Sequence, residues 1–177
     1  MKIIFIITIL FNLVHSRQYR GAELRTVDSF LYGRFDARFK PAQGDGLVSS
    51  FFTYNDDNPN TPWAEIDVEI LGVYSNVVDF NTITRGQASH IRQHYVDFNP
   101  HLDFHTYSFE WTPEYVAWFI DDLEVYRQTG SHVDSIYLSQ KIMMNIWNPV
   151  YADWVGAWNP DIIPRFSYYD YVSYSEY

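Results

Sequence analysis

The chain has 177 residues, no cysteine and a formal net charge of −10. That length accommodates one domain, able to bury well over half of its unfolded surface without covalent staples. The lack of thiols excludes disulfides and thiolate metal centres, and the acidic balance argues against nucleic acid or an anionic membrane as partner.

Aromatic residues make up 19% of the chain, as 15 Tyr, 13 Phe and 6 Trp. They fit pleated, half-buried surfaces, and the flat faces and polar edges of Tyr and Trp also suit sugar rings. Packing is the commoner use, so composition alone does not separate the two.

In chain order, Lys2 precedes an apolar run over residues 3–14, broken by Thr8 and Asn12 and followed by His15 and Ser16. A basic start, a short apolar stretch and a small residue describe a signal peptide over residues 1–16, too short to span a bilayer comfortably. The competing reading is a buried N-terminal strand. Export would leave a secreted domain over residues 17–177 with no membrane segment.

Beyond residue 17 almost nothing has helical periodicity. Alternation with a period of two predicts strands over residues 31–40, 47–54, 63–71, 77–84, 105–111, 115–120, 123–127, 141–147 and 166–174. Pro41, the run Gly44-Asp45-Gly46, residues 55–62, Gly72, Thr112-Pro113-Glu114 and Asp121-Asp122 punctuate them as turns and loops. Many short strands at fairly even spacing predict one all-β domain, an antiparallel β-sandwich or jelly roll.

The stretch Trp63-Ala64-Glu65-Ile66-Asp67-Val68-Glu69-Ile70-Leu71 carries the strongest chemical signal. Alternation in a strand puts Glu65, Asp67 and Glu69 on one face and Ile66, Val68 and Ile70 on the other. Three acids on one face with no cation between them repel one another, and Asp and Glu are poor strand formers. An ordinary solvated face is the bland explanation; a functional one accounts for why the penalties are tolerated. Glycoside hydrolysis needs two carboxyl groups, about 5–5.5 Å apart in a retaining enzyme. Positions i and i+4 of a flat strand lie roughly 13 Å apart at Cα, so the two Glu must lean together. Mutual repulsion would keep one protonated while the other is ionised.

The run Glu65-Ile66-Asp67-Val68-Glu69 resembles the Glu-Ile-Asp-x-Glu signature of glycoside hydrolase family 16. The segments Gly46-Leu47-Val48-Ser49-Ser50-Phe51-Phe52-Thr53-Tyr54, Phe104-His105-Thr106-Tyr107, Lys141-Ile142-Met143-Met144-Asn145-Ile146-Trp147-Asn148 and Asp153-Trp154-Val155-Gly156 resemble its lichenase branch. The resemblance covers residues 19–177. It implies a concanavalin A-like sandwich and a retaining endo-β-1,3-1,4-glucanase, with Glu65 as nucleophile, Asp67 assisting and Glu69 as general acid/base. It implies substrate-binding roles for Glu23, Arg25, Phe52, Tyr54, Trp63, Asn81, Asn145, Trp147 and Trp154. Phe52 and Trp147 could instead be core, and Glu23 and Arg25 a cross-strand ion pair. The implied partner is a β-glucan polysaccharide, with no cofactor, no metal and a monomeric state.

The sequence departs from the lichenase pattern at Ala64, where an Asp is usual, at Thr82-Ile83, where a Tyr is usual, and at Ile91. The resemblance implies that strands usually preceding Tyr19-Arg20-Gly21-Ala22 are missing here, through a fragment or a minimal form, and Asp170 matches one ligand of a calcium site whose companions are not evident. A non-catalytic sugar-binding sandwich, a β-1,3-glucanase and a transglycosylase are the alternatives. The spacing of His90 and His94 does not suggest a zinc site on extended chain. His105 is expected to support packing or hydrogen bonding near the cleft.

Overall fold

The computed structural model describes residues 21–56, 60–85 and 88–177, so the expected signal peptide over residues 1–16 lies outside the described residues. Twelve strands follow in order: β1 (Ala22–Phe30), β2 (Gly33–Lys40), β3 (Val48–Tyr54), β4 (Glu65–Leu71), β5 (Val77–Thr84), β6 (Ala88–Ser89), β7 (Arg92–Tyr95), β8 (His105–Trp111), β9 (Tyr115–Ile120), β10 (Leu123–Thr129), β11 (Gln140–Trp147) and β12 (Tyr168–Ser175). A seven-stranded sheet runs β1-β11-β3-β4-β5-β6, with β7 also pairing with β5, and a five-stranded sheet runs β10-β9-β8-β2-β12. Every pairing is antiparallel. One four-residue helix, α1 (Ala152–Val155), interrupts the long connection from β11 to β12.

The core fills the space between the sheets by alternation. Ile66, Val68 and Ile70 of β4 are fully buried, as are Phe35 and Phe39 of β2, Phe109 and Trp111 of β8 and Trp118 of β9. Each such side chain contributes roughly 1.5–3 kcal/mol by leaving water. Rings meet across the layers, with Phe51 of β3 at 5.5 Å from Phe109 and Phe80 of β5 at 5.6 Å from Trp118. Much of the aromatic content is therefore packing. Trp118 also donates its indole N–H to the carbonyl oxygen of Asp67 at 3.0 Å, tying the five-stranded sheet to the middle of β4.

Gly72 ends β4 as its position predicts. Its carbonyl accepts from the Gly44 amide at 3.0 Å, and a methyl group there would come within 2.3 Å of the Gly44 carbonyl oxygen.

Candidate active site

The outer face of the seven-stranded sheet holds an open cavity of about 520 Å³. Because β4 is paired on both sides, its acids organise the neighbouring strands into rows. The Glu65 row reads Lys141 (β11), Tyr54 (β3), Glu65, Ile83 (β5) and Ser89 (β6). The next reads Arg25 (β1), Met143, Phe52, Asp67 and Asn81. The third reads Glu23, Asn145, Ser50, Glu69, Asp79 and Gln93. Side-chain parity does the rest: the aliphatic residues of β4 face the core, and its carboxyl groups face the cleft.

All twelve residues that the sequence assigns to catalysis or binding line this one cavity. Phe52 and Trp147, for which a core position was the alternative, face it too. Tyr54 and Trp63 form one wall, edge to face at 6.2 Å, and Trp63 keeps 41% of its surface exposed. Trp147 and Trp154 form another, at 6.3 Å between centroids. Glu23 and Arg25 do pair at the rim, at 3.0 Å between Arg25 Nε and Glu23 Oε1, and Arg25 also engages Asp56. Lys141 reaches Asp56 from the other side at 3.2 Å.

Ser50, Ile83, Ser89, Ile91, Met143 and Tyr151 complete the lining. The sequence names Ile83 and Ile91 only as departures, and it gives the other four no site role. Alternation in β3 and β11 was the signal for Ser50 and Met143, since each shares parity with a residue already assigned to the cleft. Ser89 lies in the two-residue β6 and Tyr151 in a connection, and neither offers periodicity to read.

Burial dominates the electrostatics. Desolvation, opposed by the Trp63 indole and augmented by the charge of Glu23, raises the Glu65 carboxyl to about 7, with the Asp67 carboxyl also drawing it down. Glu69 is raised further, to about 8, by burial and then by the charges of Asp79 and Glu65. Burial, followed by the charges of both glutamates, pushes Asp67 well above the usual carboxylate range. A hydrogen bond from Asn81 moderates that rise, whereas the one shared with Glu65 favours the proton staying on Asp67. Asn81 is oriented for this: its Oδ1 accepts from Ser89 Oγ at 3.0 Å and from the His90 amide at 2.9 Å, which leaves its NH₂ for Asp67. Burial and mutual charge together favour a proton staying among these acids near neutral pH.

The structure places two of the departures and corrects one expectation. Ala64 is buried in the core and its amide donates to Asn55 Oδ1 at 2.7 Å, so position 64 faces away from the cleft. Thr82 is likewise turned inward, bonded to Gln128 at 2.7 Å; the cleft-facing member of that pair is Ile83. His105 sits on β8 in the other sheet, stacked on Phe98 at 3.8 Å with Nδ1 2.7 Å from Asp121, away from the cleft lining. Asp170 is held by Arg38 at 2.8 Å. Among the described residues no group of three His, Asp or Glu gathers in metal-binding geometry.

Two antiparallel sheets with an aromatic-walled cleft on one outer face define a jelly-roll β-sandwich. Residues 9–159 match the model of the glycosyl hydrolases family 16, and the chain belongs to that family. A beta-glucanase from Brevibacillus brevis is 38% identical over 172 residues, covering 96% of this chain and 65% of the relative. The solved Bacillus licheniformis beta-glucanase superposes with a TM-score of 0.81 at 35% identity, over 88% of this chain and 71% of that one. A prokaryotic beta-1,3-1,4-glucanase (lichenase) derived from a mouse hindgut metagenome gives a TM-score of 0.78 at 41% identity, over 86% and 70%. The chain spans 20% to 66% of the length of the first curated relatives it matches.

Proposed function

We propose that the chain hydrolyses internal bonds of β-1,3-1,4-glucan by double displacement. The observation that carries this reading is the column Glu65, Asp67 and Glu69 facing one aromatic-walled cleft.

In the first step the Glu65 carboxylate attacks the anomeric carbon while protonated Glu69 gives its proton to the departing glycosidic oxygen. The glycosidic bond breaks and an ester to Glu65 forms. Asp67, keeping its proton, donates a hydrogen bond to Glu65 and so steadies its charge before attack and as it leaves. In the second step the Glu69 carboxylate takes a proton from water, whose oxygen displaces Glu65 with net retention of configuration. Trp63, Tyr54, Trp147 and Trp154 stack on sugar rings, and Glu23, Arg25 and Asn145 engage hydroxyls. The beta-glucanase and lichenase relatives support this substrate class. Export through the leader over residues 1–16 would bring a monomeric enzyme to an extracellular polysaccharide.

The experiment is reducing-sugar release from barley β-glucan and from laminarin, beside a Glu65→Gln control, with product configuration read by proton NMR. Retained β-anomers from the mixed-linkage glucan, lost in the control, are expected. Inverted product overturns the mechanism, preference for laminarin overturns the linkage, and glucan binding by folded protein without turnover makes the chain a sugar-binding sandwich.

A further inference from the structure

Behind the cleft, β5 carries a carboxyl group that the proposed reaction does not use. Asp79 is fully buried and does not line the cavity. It stands directly opposite Glu69 in the β4–β5 ladder, with both side chains on the same face of the sheet. Residues so paired have Cβ atoms about 4.5–5.5 Å apart, and like charges there repel. Neither oxygen of Asp79 receives a hydrogen bond of ordinary geometry among the described residues. The Trp154 indole and the Gln93 amide moderate its proton affinity only in part, and burial still raises it to about 6. A buried carboxyl group left this poorly satisfied costs the fold stability, and such costs are tolerated chiefly where the group has a use.

We infer that Asp79 is a positioning residue for the acid/base step, holding the proton on Glu69 through its negative charge without touching substrate. This rests on the reading of Glu69 as the acid/base. The surroundings favour it from every side. On β4 the other titratable groups are Glu65 and Asp67, both acids; β3 presents Ser50 and β7 presents Gln93, both neutral; α1 presents Trp154; and β11 presents Asn145. The charges acting on Glu69 are those of Asp79 first and Glu65 second, with no cation among them. Asp79 ionises below Glu69, so between about 6 and about 8 a charged Asp79 faces a protonated Glu69. That is the state required of a general acid near neutrality. Asp79 lies outside the cleft lining and acts on Glu69 from beside it in the same row.

The test combines two readouts on Asp79→Asn, which keeps the shape and removes the charge, and on Asp79→Ser as a second neutral variant. Proteins with ¹³C-carboxyl-labelled glutamate are titrated by NMR, with the Glu69 resonance assigned by its loss in Glu69→Gln. The Glu69 midpoint is expected to fall by roughly one pH unit in both variants, as a neighbouring charge at this range would cause. A midpoint unchanged in a folded variant overturns the inference, whether or not the protein cleaves glucan. The alkaline limb of kcat/KM on barley β-glucan should move acidward by the same interval. A lowered midpoint with an unmoved limb overturns the link to the acid/base step, and a wild type without turnover overturns the proposed reaction while the titration still decides the electrostatic one.

Discussion

Asn81 faces Asp67 across the β4–β5 ladder and presents its amide to that carboxyl, because its carbonyl oxygen is already held by Ser89 and His90. The pairing makes Asn81 a support for the middle acid as well as part of the cleft lining. Asn81→Ala leaves a buried carboxyl without a donor, a loss of about 1–3 kcal/mol. If that loss falls on the reacting state, kcat/KM on barley β-glucan should drop roughly 10- to 100-fold. Asn81→Asp should drop it further by adding another buried acid. Steady-state kinetics of both variants checks the order.

Stability should fall as the pH rises. Burial raises the carboxyl groups of Glu65 to about 7, Glu69 to about 8 and Asp79 to about 6, and Asp67 moves the same way. In the unfolded chain these groups titrate near 4. The native state therefore holds more protons than the unfolded state between about pH 4 and pH 8, and unfolding free energy declines through that window. Each tenfold difference in proton affinity between the two states is worth about 1.4 kcal/mol, and the neighbouring acids divide that effect among them. The expected loss between pH 5 and pH 8 is a few kcal/mol, measured by urea denaturation at the two pH values.

Glu65→Gln should separate activity from stability in opposite directions. The variant loses the proposed nucleophile, and turnover should fall by at least about 1000-fold. It also removes a buried charge beside other acids, so at pH 8 it should gain about 1–3 kcal/mol. A melting temperature at pH 8 no higher than that of the wild type contradicts the burial argument.

Trp63→Ala tests the wall nearest Glu65. The ring is partly exposed and packs edge to face on Tyr54. Its loss should raise KM several-fold, at about 0.5–1.5 kcal/mol for an aromatic contact, and should also lower the ionisation tendency of Glu65 by removing a donor. The acidic limb of the pH profile then moves upward.

The sequence made β4 legible because alternation sorts its residues by face without reference to any neighbour. The strands over 77–84, 105–111 and 115–120 were legible for the same reason, and their observed limits coincide with those expected. Periodicity failed for β1, whose register shifts between Arg25 and Ser29, and for β6 and β7, which are too short for any alternation to show. The misplacement of His105 has the same root: sequence neighbours cannot say which of two sheets a strand joins. Asp79 escaped for a related reason. Its meaning comes from the partner opposite, and register is a property of the folded sheet.

The link from Trp118 to the Asp67 carbonyl has a bearing on how such a protein can change over generations. The floor of the cleft is clamped from beneath and hydrogen-bonded on both sides, so its amides should exchange with solvent only when the whole domain opens. Novelty has little purchase there. The rim is different ground: Glu23, Arg25, Ile91 and Tyr151 sit on an edge strand and in connections, where substitutions disturb few neighbours. Altered ligand contacts can accumulate at that border while the acids at the centre stay fixed.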